Sequence, residues 1–81
     1  MIDHKNIQNA LSNIGILIDE ETIDEDIDLT EYILDSLQFV SFIIELENEL
    51  NIELPVEVLQ YDKIRSLNGF VALIQNISYD T

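Results

Sequence analysis

The run Asp35-Ser36-Leu37-Gln38-Phe39-Val40-Ser41-Phe42-Ile43-Ile44-Glu45-Leu46-Glu47-Asn48-Glu49-Leu50-Asn51 decides how this chain folds. It holds neither Gly nor Pro, and Phe39, Phe42, Ile43, Leu46 and Leu50 recur at helical spacings. At ~100° per residue they gather on roughly one third of the wheel, the signature of a helix with one face in a core. Asp35 followed by Gln38 resembles a capping box in which Asp replaces the usual Ser or Thr. The helix is therefore predicted to begin at Ser36, with the serine hydroxyl at its exposed mouth. A second apolar strip, Leu37, Val40 and Ile44, lies more than a quarter turn from the first. Two readings of it are open: the other helices wrap round to cover it, or it docks a partner.

On the N-terminal side, Asp3 can cap a first helix whose Ile7, Leu11 and Ile14, extended to Ile18, share one face. Gly15 is a plausible stop, since Gly adopts the left-handed conformation cheaply. Residues 16 to about 34 show no clean period and are dense in acid. Ile16, Ile18, Ile23, Ile27, Leu29 and Ile33 interrupt the charge and can pin this long loop to a core; loops of this length are often functional. On the C-terminal side, Pro55 suits the start of a short helix from Val56 to about Gln60. Ser66 can cap a closing helix bearing Leu67, Phe70, Val71, Ile74 and Ile77 on one side, although Gly69 near its start lowers helix propensity. The prediction is an all-α bundle of three main helices and one short one, with a long acidic loop between the first two.

The 81 residues carry 17 acids against 3 bases, a formal net charge of -14, yet 47% of them are hydrophobic. A disordered acidic tail would lack that apolar content, so one small folded domain over residues 1–81 is expected. With Lys5, Lys63 and Arg65 as the only bases, no basic stripe exists to neutralise phosphates, which excludes nucleic acid as a partner. Cysteine is absent, which removes disulfides and intrinsic thiol chemistry. The N-terminus lacks a charged region followed by an apolar one, so no signal peptide is expected. No run reaches the ~18 apolar residues of a membrane span, and the expectation is a cytoplasmic monomer.

Catalytic inventories give little. His4, the single histidine, reads as a solvated helix-terminal residue, and Gly15 and Gly69 are too isolated to form a phosphate-cradling loop. A Ser-His-Asp arrangement needs a pocket and an oxyanion site that a bundle this small rarely encloses, so an enzyme is not expected. Asp24, Asp26 and Asp28 have the spacing of a calcium loop, but Leu29 occupies the position where Gly makes the turn and Asp35 the position of the closing Glu. A dedicated metal site is not expected. Ser36 remains, at a helix N-terminus where backbone N–H groups and the helix dipole favour an anion such as a phosphate ester. Taken alone, Asp-Ser at a helix start is also what a simple cap looks like.

Asp35-Ser36-Leu37, followed by an amphipathic helix that ends in Leu46-Glu47-Asn48-Glu49-Leu50-Asn51-Ile52-Glu53-Leu54-Pro55, resembles the acyl and peptidyl carrier proteins. The acidic loop before it and the closing helix extend the resemblance over essentially the whole chain. It implies that Ser36 receives 4′-phosphopantetheine from coenzyme A and that the prosthetic thiol carries acyl or aminoacyl groups as thioesters. By similarity, Asp35 serves recognition by a phosphopantetheinyl transferase, Leu37, Val40 and Ile44 match apolar docking positions, and Glu47 matches an acidic one. The implied partners are that transferase, an acyl or aminoacyl ligase, and a downstream transferase or synthase. Where many fatty-acid carriers have Gly two residues before the Asp, this chain has Ile33, and Gln38, Ser41 and Asn48 stand where theirs bear acids. It looks closer to freestanding carriers of D-alanylation or specialised biosynthesis. The rival reading is an unmodified acidic adaptor that binds a partner through the same strip.

Overall fold

Helix α1 spans His4–Asn13 and begins as the sequence predicts. The Asn6 N–H donates to Asp3 Oδ1 at 3.2 Å and the Asp3 N–H donates to Asn6 Oδ1 at 2.9 Å, a reciprocal box that satisfies two otherwise orphaned donors. It ends at Gly15, whose φ of +89° is a left-handed conformation costly for residues with a Cβ. The Gly15 N–H reaches the Ser12 carbonyl and the Ile16 N–H reaches the Leu11 carbonyl, closing the helix. Ile18 therefore lies beyond α1 rather than on its face, and is buried from the extended segment that follows. A computed structural model describes residues 2–55 and 58–76, in which the remaining helices are α2 (Glu20–Ile23), α3 (Ser36–Leu50) and α4 (Leu67–Gln75). Among the described residues there is no strand.

The acidic segment is more ordered than its lack of period implied. Asp19 accepts from the Thr22 N–H at 2.8 Å and caps the single turn of α2. Asp28 accepts from the Thr30 N–H at 2.9 Å and caps a 3-10 turn over Leu29–Glu31. In and around these turns Ile18, Ile23, Leu29 and Ile33 are buried, and Ile16 and Ile27 pack against the core edge. The one short α-helix is thus in this segment. The short helix expected from Val56 begins on residues outside those described, and Leu59 and Gln60 are not helical. A 3-10 turn over Tyr61–Arg65 follows instead.

The core forms where α1 packs principally on α3, with α4 and the Tyr61–Arg65 turn closing the other side. Phe42 and Phe70 are fully buried, with ring centroids 6.0 Å apart. Burying side chains of this size contributes about 1.5–3 kcal/mol each, which is what a small domain has to set against chain entropy. Leu50, predicted in the core stripe, is only half covered because it lies in the last turn of α3. Asn51 stops that helix at φ 56°, a left-handed value Asn tolerates.

Long-range polar ties hold the ends of the elements together. His4 Nε2 lies 2.8 Å from Asn68 Oδ1, so His4 joins α1 to α4 rather than facing solvent alone. Ser66 Oγ accepts from the Gly69 N–H at 3.0 Å and donates to Asp26 Oδ1 at 2.8 Å, while the Asn68 N–H donates to the same carboxylate oxygen at 3.1 Å. A Cβ on Gly69 would sit 3.2 Å from Ser66 Oγ, which gives this glycine a reason: a side chain would crowd the hydroxyl that caps α4. The hydrogen bonds from Ser66 and then Asn68 hold the Asp26 carboxyl below the ordinary carboxylate range.

A pKa depressed in the folded state means that the stability contributed by the charge is complete above the unfolded-chain value and is lost as pH falls through the folded value. Replacing Asp26 by Asn should therefore flatten the acid limb of a Tm-against-pH curve below about pH 4. Relief of net charge repulsion on acidification is common to both proteins, so the difference between the two limbs isolates Asp26. Superimposable limbs would mean that the charge contributes nothing.

Candidate functional site

The N-terminus of α3 is built by a division of labour between neighbours. Asp35, in extended conformation at φ -147°, accepts from the Gln38 N–H at 2.7 Å and is the cap. The Gln38 side chain turns back as a capping box requires, but its Oε1 accepts from the Leu34 N–H at 2.9 Å rather than from Asp35. The expected box is displaced by one residue and so clamps the turn ahead of the helix as well. Because Asp35 does the capping, the exposed Ser36 hydroxyl has no hydrogen-bond duty toward any described residue. The N–H groups of the first turn and the positive end of a 15-residue helix are beside it, an environment suited to an anion.

The second apolar strip is open. Leu37 is 76% exposed, Val40 51% and Ile44 50%, and Leu34 just before the cap is 72% exposed. Phe39, Phe42, Ile43 and Leu46 are buried on the other strip, so α3 has two apolar faces and the helices of this fold cover one. Below Ser36 the open face descends into a groove of about 490 Å³ between α3 and the chain at Leu59 and Tyr61. Val40 and Ile44 form its α3 wall together with Phe39 and Ile43; Leu37 is outside it. Glu47 is at its far end, half buried, where its Oε2 accepts from the Leu54 N–H at 2.8 Å. The acidic position predicted for docking thus also ties α3 to the strand of chain that follows it.

Leu59 and Tyr61 were not singled out by the sequence, where Leu59 falls within the short helix expected from Val56 to about Gln60 and Tyr61 lies just beyond it. Tyr61 meets Phe39 edge-on, with centroids 5.7 Å apart and planes at 89°, and its hydroxyl donates to the Ile33 carbonyl oxygen. The only advance signal was an aromatic residue in an otherwise polar stretch.

Two of the three aspartates spaced like a calcium loop, Asp26 and Asp28, are engaged otherwise. Asp26 serves the start of α4 and Asp28 accepts from both the hydroxyl and the N–H of Thr30, bonds that hold its carboxyl below the ordinary range. Among the described residues no three His, Cys, Asp or Glu side chains converge as metal ligands would, and no helix is long and apolar enough to cross a membrane.

The chain matches the family described as Phosphopantetheine attachment site over residues 7–74, a span that takes in most of α1, all of α2 and α3, and α4 up to its last residue. Comparison with curated proteins and with solved structures yields no match.

The cap geometry sets an order of effects on stability. Asp35→Ala should cost about 1 kcal/mol in urea unfolding, and Asp35→Asn should restore most of it, because either oxygen-bearing side chain can accept from the Gln38 N–H. Ser36→Ala should remain within about 0.5 kcal/mol of the parent, since no packing or capping is removed. A Ser36→Ala loss equal to that of Asp35→Ala would show that the serine shares the capping.

Proposed function

This chain belongs to the phosphopantetheine attachment-site family, and from that premise we propose that Ser36 is the residue that carries the 4′-phosphopantetheine. The observation that supports this is the exposed Ser36 hydroxyl at the mouth of α3, released from capping by Asp35. Ser66 is occupied with capping α4, Ser12 and Ser41 lie inside helices, and Ser78 lies outside the described residues. The residues fit the group: Ser36 is exposed at the N-terminus of a 15-residue helix, whose positive end favours a phosphodiester anion. When bound, the group supplies a thiol on which acyl or aminoacyl cargo is carried as a thioester.

The remaining work belongs to the chain. Asp35 keeps the first turn wound and presents a carboxylate beside Ser36 for the phosphopantetheinyl transferase to recognise. Leu37, Val40 and Ile44 are the apolar surface on which a loading ligase and a downstream transferase or synthase dock. Glu47 adds an acidic contact at the far end. On this reading the 81 residues act as a single non-catalytic, monomeric, cytoplasmic carrier domain that passes intermediates between biosynthetic enzymes. Polar Gln38, Ser41 and Asn48 dilute the charge of α3, which shifts recognition toward apolar contact.

Intact mass after incubation with coenzyme A and a phosphopantetheinyl transferase tests the assignment. The parent protein should gain one phosphopantetheine and Ser36→Ala none, with unchanged circular dichroism. Modification of the Ser36→Ala protein at another residue overturns it, and a parent protein that gains no mass returns the chain to the adaptor reading.

Docking has its own test. Fully burying an exposed Val or Ile is worth about 1.5–3 kcal/mol, whereas an exposed ion pair gives about 0–1 kcal/mol. Val40 and Ile44 are already about half covered, so a partner gains roughly half of that burial energy from each and must in addition desolvate any Asp put in their place. Val40→Asp or Ile44→Asp should therefore impair loading by the cognate ligase at least tenfold or so, and more than Glu47→Gln, which keeps an acceptor for the Leu54 N–H. Thermal melts should show all three folded. The reverse ranking would make recognition electrostatic.

A further inference from the structure

The turn that precedes Ser36 is fastened to the rest of the molecule at very few points. The Ile33 side chain is fully buried, and the Ile33 N–H bonds locally to Leu29. The Leu34 N–H and the Asp35 carboxylate both bond within the first turn of α3. Among the described residues, one hydrogen bond joins the 32–36 stretch to a residue more than five positions away, from the Tyr61 hydroxyl to the Ile33 carbonyl oxygen. The same tyrosine ring lies edge-on to Phe39. Tyr61 therefore touches α3 and its entry turn three residues before Ser36 and three residues after it, from a 3-10 turn on the far side of the groove.

We infer that Tyr61 is a positioning residue for the reaction at Ser36: its hydroxyl latches the Ile33–Asp35 turn so that Asp35 and Ser36 are offered in the geometry a transferase must grip. The physical reason is entropic. A surface turn held only by its own helix samples several backbone states, and an enzyme that binds one of them sees its apparent affinity reduced by the fraction of molecules in that state. The phenolic donor fixes a carbonyl that would otherwise be free to rotate toward water. The ring supplies a rigid spacer, because it is already packed against Phe39 in a T-shaped contact. A phenylalanine at 61 would retain that packing and lose only the latch.

The inference rests on Ser36 as the attachment point, and Tyr61→Phe tests it with two readouts. One is steady-state loading of the apo-protein by a phosphopantetheinyl transferase with coenzyme A. The other is residue-resolved amide hydrogen exchange. Loss of one net hydrogen bond corresponds to about a threefold to tenfold change in a local opening equilibrium. The KM for the carrier should rise by that factor with kcat unchanged. The Leu34 and Gln38 amides should exchange faster by the same factor, while the Phe42 and Leu46 amides in the body of α3 keep parental rates. Parental KM together with parental exchange at Leu34 and Gln38 overturns the inference. So does acceleration at Phe42 and Leu46 equal to that at Leu34, which would make the hydroxyl a general stabiliser. A parent protein that accepts no phosphopantetheine instead overturns the Ser36 assignment, and the latch then stands or falls on the exchange data alone.

Discussion

The carboxylates of this chain have almost no cations to pair with. With 17 acids against 3 bases, the single ion pair among the described residues is Lys5–Glu20, and both side chains are well exposed. Such pairs contribute little. The aspartates instead find backbone N–H groups: Asp3, Asp19, Asp28 and Asp35 each cap a helix or 3-10 turn, and Asp26 meets the N-terminus of α4. A cap places a negative charge at the positive end of a helix and satisfies a donor that would otherwise be orphaned. An excess of negative charge, unfavourable as a whole through self-repulsion, is thereby distributed where each unit is locally favourable. The order of the acidic segment between α1 and α3 follows from this, since its two short turns are each held by an aspartate at their start.

The same constraint produces the candidate site. If Ser36 capped α3, its oxygen would be committed to a backbone N–H. With Asp35 in that role, the hydroxyl is left outside the hydrogen-bonded network at the end of a long helix. The proposed assignment of Ser36 within the matched family rests on this geometry, because covalent attachment of a phosphodiester needs a hydroxyl that is accessible and an environment that tolerates the anion. Helix α3 is thus asked to do two things with two faces. One face is fixed by Phe42 and Leu46 in the core, and the other is left apolar and open from Leu37 to Ile44.

How much of this was readable in advance depends on the distance along the chain over which each interaction acts. The Asp3 and Ser66 caps, the stop at Gly15 and the limits of α3 involve residues three or four apart, and these were legible. Capping by Asp19 and Asp28 is equally local but was hidden, because a helix of one turn offers too few residues for a hydrophobic period to appear. The displaced box at Gln38 shows the limit of a motif: the spacing was right, and the side chain bonded one residue further out.

By itself the sequence determined that the chain is helical, that α3 starts at Ser36 behind an aspartate, and that this helix carries two apolar strips. It did so because periodicity and capping are local properties of consecutive residues. Which strip is covered was a tertiary decision, made by where α1 and α4 pack. So were the contacts of Glu47 with Leu54, Asp26 with Ser66 and Asn68, His4 with Asn68, and Tyr61 with Ile33 and Phe39. In most of these, residues tens of positions apart meet only after the core has closed. Nothing in the spacing of a tyrosine after a proline says that its hydroxyl will reach the carbonyl three residues before the serine, because the energy that brings them together is the burial of other side chains.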